Sequence, residues 1–307
     1  MIKKLSIAIL GLAALGFAGF WILTLPNGLR PEQVAALPTG DAVAGETIFW
    51  AGGCASCHAA KGATGDAKLV LSGGVELKTP FGTFHAPNIS SSEEHGIGKW
   101  SLEQFVNAMK RGVSPQGEHY YPAFPYTSYA RMTDKDVADL FAYLKTLPDD
   151  QTASKTHQLG FPFNIRRGLG LWKKLYLSPE PVIAVEAGNA QLERGRYLVE
   201  GATHCGACHT PRNVIGGPKL KNWLAGGPAA EGSGSVPNLT PHASGLGNWS
   251  SAEIADSLKT GFTPEFDSFG SSMADVQENM AKLTDADRAA IAAYLKAVPA
   301  IESSASK

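Results

Sequence analysis

The feature that most constrains the fold is a long internal repeat. "GETIFWAGGCASCH" at residues 45–58 matches "GRYLVEGATHCGACH" at 195–209, "APNISSSEEHGIGKWSLEQFVNAMKRG" at 86–112 matches "VPNLTPHASGLGNWSSAEIADSLKTG" at 236–261, and "MTDKDVADLFAYLKTLP" at 132–148 matches "LTDADRAAIAAYLKAVP" at 283–299. The offset stays between 149 and 151, from Cys54 to Cys205, Pro87 to Pro237, Trp100 to Trp249 and Tyr143 to Tyr294. A repeat this long means two copies of one domain, at residues 40–148 and 189–300, joined by a linker at 149–188.

Each copy reads as helical. Leu102, Phe105, Val106 and Met109 share one face at helical spacing, as do Val137, Leu140, Phe141 and Leu144 behind an N-cap at Thr133. Between these segments lie Gly- and Pro-rich loops without strand alternation, which predicts an all-α fold. The linker "FPFNIRRGLGLWKKLYL" is too apolar for a flexible tether, so it is expected to pack across the domain junction, with a partner-binding or membrane-surface role as the alternative.

Ahead of the repeat, Lys3 and Lys4 precede an apolar run from Leu5 to Leu25, with Trp21 near its end and Pro26 after it. About 20 apolar residues span a bilayer, whereas a signal peptide's apolar stretch is about 7–15. Residues 1–28 are therefore expected to be a transmembrane anchor, with a cleaved signal as the alternative. Lysines on the inner side orient the remainder outward. A net charge of −1 without basic runs excludes nucleic acid as a partner.

All four cysteines fall in two CxxCH clusters, Cys54–Cys57–His58 and Cys205–Cys208–His209, so no disulfide partner is left over. Zinc half-sites sit about 12–20 residues apart, not 151, and zinc does not require a histidine directly after the second cysteine. A redox dithiol needs a βαβ setting that is absent here. Covalent haem accounts for every residue: two sulfurs one helical turn apart meet the two vinyl groups of one porphyrin edge, and the next imidazole reaches the iron. The expected cofactors are two covalently bound haems c.

Together, CxxCH near the start of each copy, "PN[IL][ST]…G[IL]GxWS" in the middle, a last helix ending in "AYLK" and the inter-domain "FPFNIR…LW" resemble the cytochrome c subunits of membrane-bound bacterial alcohol, gluconate and aldehyde dehydrogenases over residues 40–300. The resemblance implies two tandem class I cytochrome c domains behind the N-terminal transmembrane helix. It also implies an electron-transfer subunit rather than an enzyme, with no catalytic residues of its own. Such a subunit would work at the periplasmic face of the bacterial inner membrane, between a periplasmic dehydrogenase subunit and a respiratory-chain electron acceptor. Many members carry three haem domains where this chain has two, which leaves the donor open.

In such domains a methionine from the loop before the last helix completes the iron. Met273, after a Gly/Ser loop, matches that position for the second haem, while Met280 is expected in the core. In the first copy the loop "HYYPAFPYTSYARM" resembles the family's YPAMPY loop, with Phe124 at the methionine position. Met109 reads as core, so the expected metal ligands are His58 with Met132 and His209 with Met273. His119 is the alternative to Met132, and an open iron is the third possibility. His85, His95, His157, His204 and His242 are expected to be ordinary surface or loop residues. Pro87 and Pro237 are expected to lend their carbonyls to the proximal histidines. An open first iron would favour a dihaem redox enzyme of the peroxidase or thiosulfate-oxidising type, and a free-standing membrane-tethered shuttle would use the same chemistry as the subunit.

Overall fold

The computed structural model describes residues 2–303. Helix Ile2–Leu23 stands apart from the body. Among the described residues it is the one helix long and apolar enough to cross a membrane, with mean hydropathy 2.1 over Lys3–Leu23 and none of that stretch buried. Directly after it the chain turns onto the first domain, where Leu29 N donates to Asn107 Oδ1 at 2.8 Å.

The two domains are built alike. In the first, helix Ala42–Ala51, capped by the Asp41 carboxylate at Val43 N, crosses helix Asp134–Leu144. In the second, helix Ala190–Tyr197 crosses helix Asp285–Ala297. Both crossings bring backbone against backbone. A β-carbon on Gly45 would lie 2.0 Å from the Asp139 carbonyl oxygen, and one on Gly195 would lie 2.0 Å from that of Ala290. Thr133 and Thr284 cap the two last helices by accepting from Asp136 N and Asp287 N.

A third helix in each domain, Leu102–Arg111 and Ser251–Thr260, opens with a reciprocal capping box, Ser101 with Gln104 and Ser250 with Glu253. Each ends at a left-handed glycine, Gly112 (φ 58°) and Gly261 (φ 82°). Phe105, Val106 and Met109 turn inward with Val137, Leu140 and Leu144 to form the first core.

The mostly helical fold also holds short strands that periodicity did not reveal. Strands β1 (Glu76–Thr79), β2 (Gly82–His85) and β3 (Gln158–Leu159) form an antiparallel sheet, with Glu76 opposite His85 and Gly82 opposite Leu159. A two-residue pair, Gly227–Pro228 with Ser235–Val236, occupies the same place in the second domain. Segments of two to four residues are too short to display a period-2 pattern.

The linker packs across the junction, but only in part. Trp172, on helix Leu169–Tyr176, is buried against Tyr126 of the first domain and donates its indole N–H to the Ile215 carbonyl of the second at 2.9 Å. The buried Lys173 ammonium donates to the carbonyls of Arg111 and Gly112 at 2.7 and 2.6 Å, at the C-terminus of a helix where positive charge is favoured. Burial nonetheless pulls its pKa down to about 7. Phe161, Phe163, Ile165, Leu171 and Leu175, by contrast, face outward.

The domains meet through polar contacts beside an apolar core. After Tyr197 the helix widens into a π turn, Leu198–Ala202. Gly45 to Cys54 is nine residue steps and Gly195 to Cys205 is ten, so the π turn absorbs one inserted residue. Within it Glu200, 1 % exposed, accepts from Val182 N, Ile183 N and Tyr294 Oη at 2.7, 2.9 and 2.6 Å, and Arg131 Nε of the first domain stands 3.8 Å away. A buried carboxylate persists only when its oxygens are this well supplied. Tyr197 Oη also donates to Asp136, and Asn279 Nδ2 donates to Ser56 Oγ at 2.7 Å.

The crossing glycines lead to the first expected outcome. Gly195→Ala should lower unfolding stability by about 3 kcal/mol, at the upper end of the overpacking range, because its methyl would enter the Ala290 carbonyl. Gly168→Ala, with nothing within 4 Å and φ −58°, should be near neutral in the same denaturation series.

Candidate haem-attachment sites

Both CxxCH clusters form single helical turns, Cys54–His58 and Cys205–His209, which set their two cysteines three residues apart on one side. Each turn is entered through a left-handed residue, Gly53 (φ 58°) in the first and His204 (φ 41°) in the second. A non-glycine residue in that region is strained unless held. His204 is held by its own ring, whose Nε2 reaches the Gly52 carbonyl across the domain junction at 3.1 Å.

The proximal histidines are oriented identically. His58 Nδ1 lies 2.8 Å from the Pro87 carbonyl and His209 Nδ1 lies 2.9 Å from that of Pro237. A carbonyl only accepts, so each Nδ1 carries the proton and each Nε2 keeps its lone pair, as an iron ligand requires. Burial holds both imidazoles below the usual histidine range, opposed by these carbonyl bonds, and so favours the neutral ring.

The Asn after each proline explains the rest of that motif. Asn88 Nδ2 donates to the Asp150 and Thr152 carbonyls at 2.9 Å, and Asn238 Nδ2 donates to that of Ile301 at 2.7 Å. Each Asn thus clamps the chain leaving the last helix onto the loop that orients the histidine.

The surroundings of the thiols favour neither a zinc site nor a reactive dithiol. Burial, the leading cause, pushes Cys54 up to about 12 and Cys57 and Cys208 up to about 11, and it raises Cys205 as well. Reactive CxxC cysteines are shifted the opposite way. Among the described residues no three His, Cys, Asp or Glu side chains converge as a metal cluster.

A planar apolar group with carboxylate arms fits both sites. Ile48, Phe49, Leu71, Ile97 and Tyr129 belong to the core around the first motif, and Trp223 and Leu224 to that around the second. Among the described residues, both ring nitrogens of His85 and Nε of Arg212 are buried without a partner. His85 lies two residues before Pro87, and Arg212 three residues after His209. Such groups are costly unless something polar completes them.

The two attachment sites face one another. The Asn279 amide binds Ser56 between Cys54 and Cys57, and the Tyr129 ring meets the His204 ring edge-on at 5.7 Å between centroids. Glu231 and Cys208 stand near enough to Cys57 to add to its upward shift.

In the segment before the last helix of each domain the copies differ. Isolated bridges Val113–His119 and Phe262–Ser268 keep the offset at 149, which sets Phe124 at the place of Met273. Phe124 packs in an aromatic cluster with Tyr120, Tyr126 and Tyr129. Met273 is half-buried in the first turn of helix Ser272–Met280, and Met280 is buried in the core. Met132 is buried, with Cγ 3.6 Å from where a β-carbon on Gly201 would stand, and its repeat counterpart is Leu283. His119 directs Nε2 at the Thr24 carbonyl at 2.8 Å.

Among the other histidines, expected to be surface or loop residues, His157 and His204 lie in loops but make specific contacts, and His85 is buried in β2. His85 is 4 % exposed, His157 packs its ring against Phe84 and Tyr121 and accepts from His85 N, and His204 bridges the domains. All three depend on contacts far apart in sequence. His95 and His242 lie in turns, the latter accepting from Ser244 N.

With this geometry in hand, comparison with known proteins is direct. The Cytochrome c family model matches residues 42–148 and again residues 192–299. A protein described as "Diheme cytochrome c-type" from Cereibacter sphaeroides is 55% identical over 287 residues, covering 94% of this chain and 95% of that one. The fructose dehydrogenase cytochrome subunit of Gluconobacter japonicus is 41% identical over 260 residues, 83% of this chain and 52% of that one. The alcohol dehydrogenase (quinone) cytochrome c subunit of Gluconobacter oxydans is 32% identical over 305 residues, 92% of this chain and 60% of that one. The chain thus spans nearly the whole of the first relative but only 52% and 60% of the two dehydrogenase subunits.

The isolated protein should have the mass of its polypeptide plus two haem groups, and acid-acetone should extract neither. A colourless, zinc-loaded product would overturn the assignment of both motifs.

Proposed function

We propose, for a chain that belongs to the cytochrome c family and carries two haem c groups in two of its domains, that it is a membrane-anchored electron-transfer subunit. It takes electrons from a periplasmic dehydrogenase and passes them to an acceptor of the respiratory chain. The observation that carries this reading is that both CxxCH turns border the domain junction, where His204, entering the second, reaches the Gly52 carbonyl ahead of the first, and Asn279 of the second domain donates to Ser56 within the first.

The haems, when bound, supply one-electron exchange at iron. The chain's own residues do the rest. Pro87 and Pro237 fix the proximal rings, the buried core excludes water, and Glu200 with Arg131 holds the domains in one arrangement. Similarity to cytochrome subunits of fructose and alcohol dehydrogenases supports a dehydrogenase as the donor.

Retention of the N-terminal span is part of the proposal. Thr24, at its end, is fully buried, with its hydroxyl accepting from Arg167 Nε and its carbonyl accepting from His119. A segment destined for removal has no need of such a seat. Lys3 and Lys4 support a cytoplasmic start, with both domains on the periplasmic side.

The residues that would hold the two irons are His209 with Met273 and His58 with Met132. Met273 is supported by its place after the loop preceding the last two helices. Met132 is buried beside the junction just before the last helix of the first domain, and Leu283 stands at the same point of the second copy. Phe124 at the place of Met273 favours a second reading, in which the first iron keeps an open position.

Isolation in mild detergent should yield a complex whose dehydrogenase substrate reduces both haems. A haem protein that travels alone and turns over peroxide or thiosulfate would replace this reading with the enzymatic one.

Met273→Ala should abolish thioether ligation at one haem and lower its potential, because methionine ligation raises it. Met280→Ala should leave both potentials unchanged. Met132→Ala should abolish the other haem's thioether signal, and a high-spin, ligand-binding first haem in the unmutated protein would instead establish the open position.

A further inference from the structure

We propose that the linker face formed by Phe161, Phe163, Ile165, Leu171 and Leu175 lies in the headgroup–acyl boundary of the bilayer, beside the point where the N-terminal helix leaves it. The proposal rests on reading that helix as a retained span.

The first observation is exposure. Phe161 is 81 % exposed, Leu175 69 % and Ile165 50 %, with Phe163 and Leu171 each at 41 %. A cluster of large apolar side chains this open on one short segment marks a surface that is covered in use. Leu171 and Leu175 are four residues apart on helix Leu169–Tyr176 and so share a face, while Trp172 and Lys173 are the buried side of the same helix.

The second observation is position. The span Lys3–Leu23 has 21 residues, and at about 1.5 Å per residue it covers the ~30 Å hydrocarbon core almost without excess. Its last turn therefore reaches the interface. The linker is seated on that turn: Arg167 donates to Thr24 Oγ1 at 2.9 Å and to the Trp21 carbonyl at 2.6 Å, and its guanidinium stacks 4.3 Å over the Trp21 ring. Gly170 lies flush against Thr24, where a β-carbon would meet Cα at 2.6 Å. Along the same helix, Leu175 is within about 8 Å of Gly170.

Chemistry at the rim agrees with depth. Trp21 is half exposed, as interfacial tryptophans are, and Arg166, Arg167 and Lys174 interleave the apolar residues with groups that reach headgroups while their stems stay in apolar surroundings. A bilayer occupies this position whenever the span is inserted. A protein partner at the same face would have to displace lipid from it.

Introduced cysteines can test this, because haem attachment consumes all four natural ones. Full-length holoprotein carrying Phe161→Cys, Leu175→Cys, Val43→Cys or Leu12→Cys would be nitroxide-labelled, placed in lipid nanodiscs with the haems oxidised, and read for relaxation by oxygen and by a water-soluble nickel chelate, each against the same sample without relaxant. Labels at 161 and 175 should favour oxygen over nickel, between the values at the exposed 43 on the first domain and at the mid-span 12. Aqueous readings at 161 and 175 with a membrane reading at 12 would overturn the proposal and leave the span intact. The same result followed by shielding only on addition of the dehydrogenase would assign the face to that protein and also overturn it. An aqueous reading at 12 would overturn the span itself.

Discussion

Each domain hangs on one contact, the glycine-mediated crossing of its first and last helices. Gly45 and Gly195 let two backbones touch where any side chain would force them apart. This sets where the first helix ends, and the CxxCH turn follows within a few residues. It also sets where the last helix begins, and the loop bearing Phe124 or Met273 precedes it. The two walls of each haem site therefore take their separation from one point of closest approach.

A second layer of constraint joins the copies. Glu200 gathers donors from the linker, the last helix and, at longer range, Arg131 of the first domain. Removing its partners would leave a buried charge uncompensated, a loss of roughly 3–5 kcal/mol for a buried pair. The junction is thus specified by polar geometry as well as by apolar area. Two independently folding units would need only a tether, whereas these have a shared interior.

Much of this was legible in the sequence because it is local or repeated. The CxxCH turns and the Thr133 cap follow from short spacings, the Pro87 and Pro237 carbonyls from the family resemblance, and each appears twice. What was hidden depends on contacts made across the chain. His85 and His157 look like loop residues until β2 and β3 pair, and His204 looks idle until Gly52 arrives opposite it. The apolar linker read correctly as non-random, yet only the seat of Arg167 and Gly170 on Thr24 separates its buried side from its open one. Arg212 and Glu200 carried no pattern of their own. The step in the repeat offset from 150 at Gly45 to 151 at Cys54 was present in the sequence, and it marks the π turn.

That π turn has a meaning for the history of the chain. Two copies that arose by duplication are free to drift in length, but an added residue inside a helix ordinarily rotates everything after it by about 100°. A single widened turn takes up the extra residue, so that Cys205 and His209 resume the register of Cys54 and His58. The second domain could therefore lengthen and gain His204 and Glu200 at its border with the first while its attachment site stayed in register. The wide turn is the point at which the two halves differ by one residue while their haem-attachment clusters keep the same form.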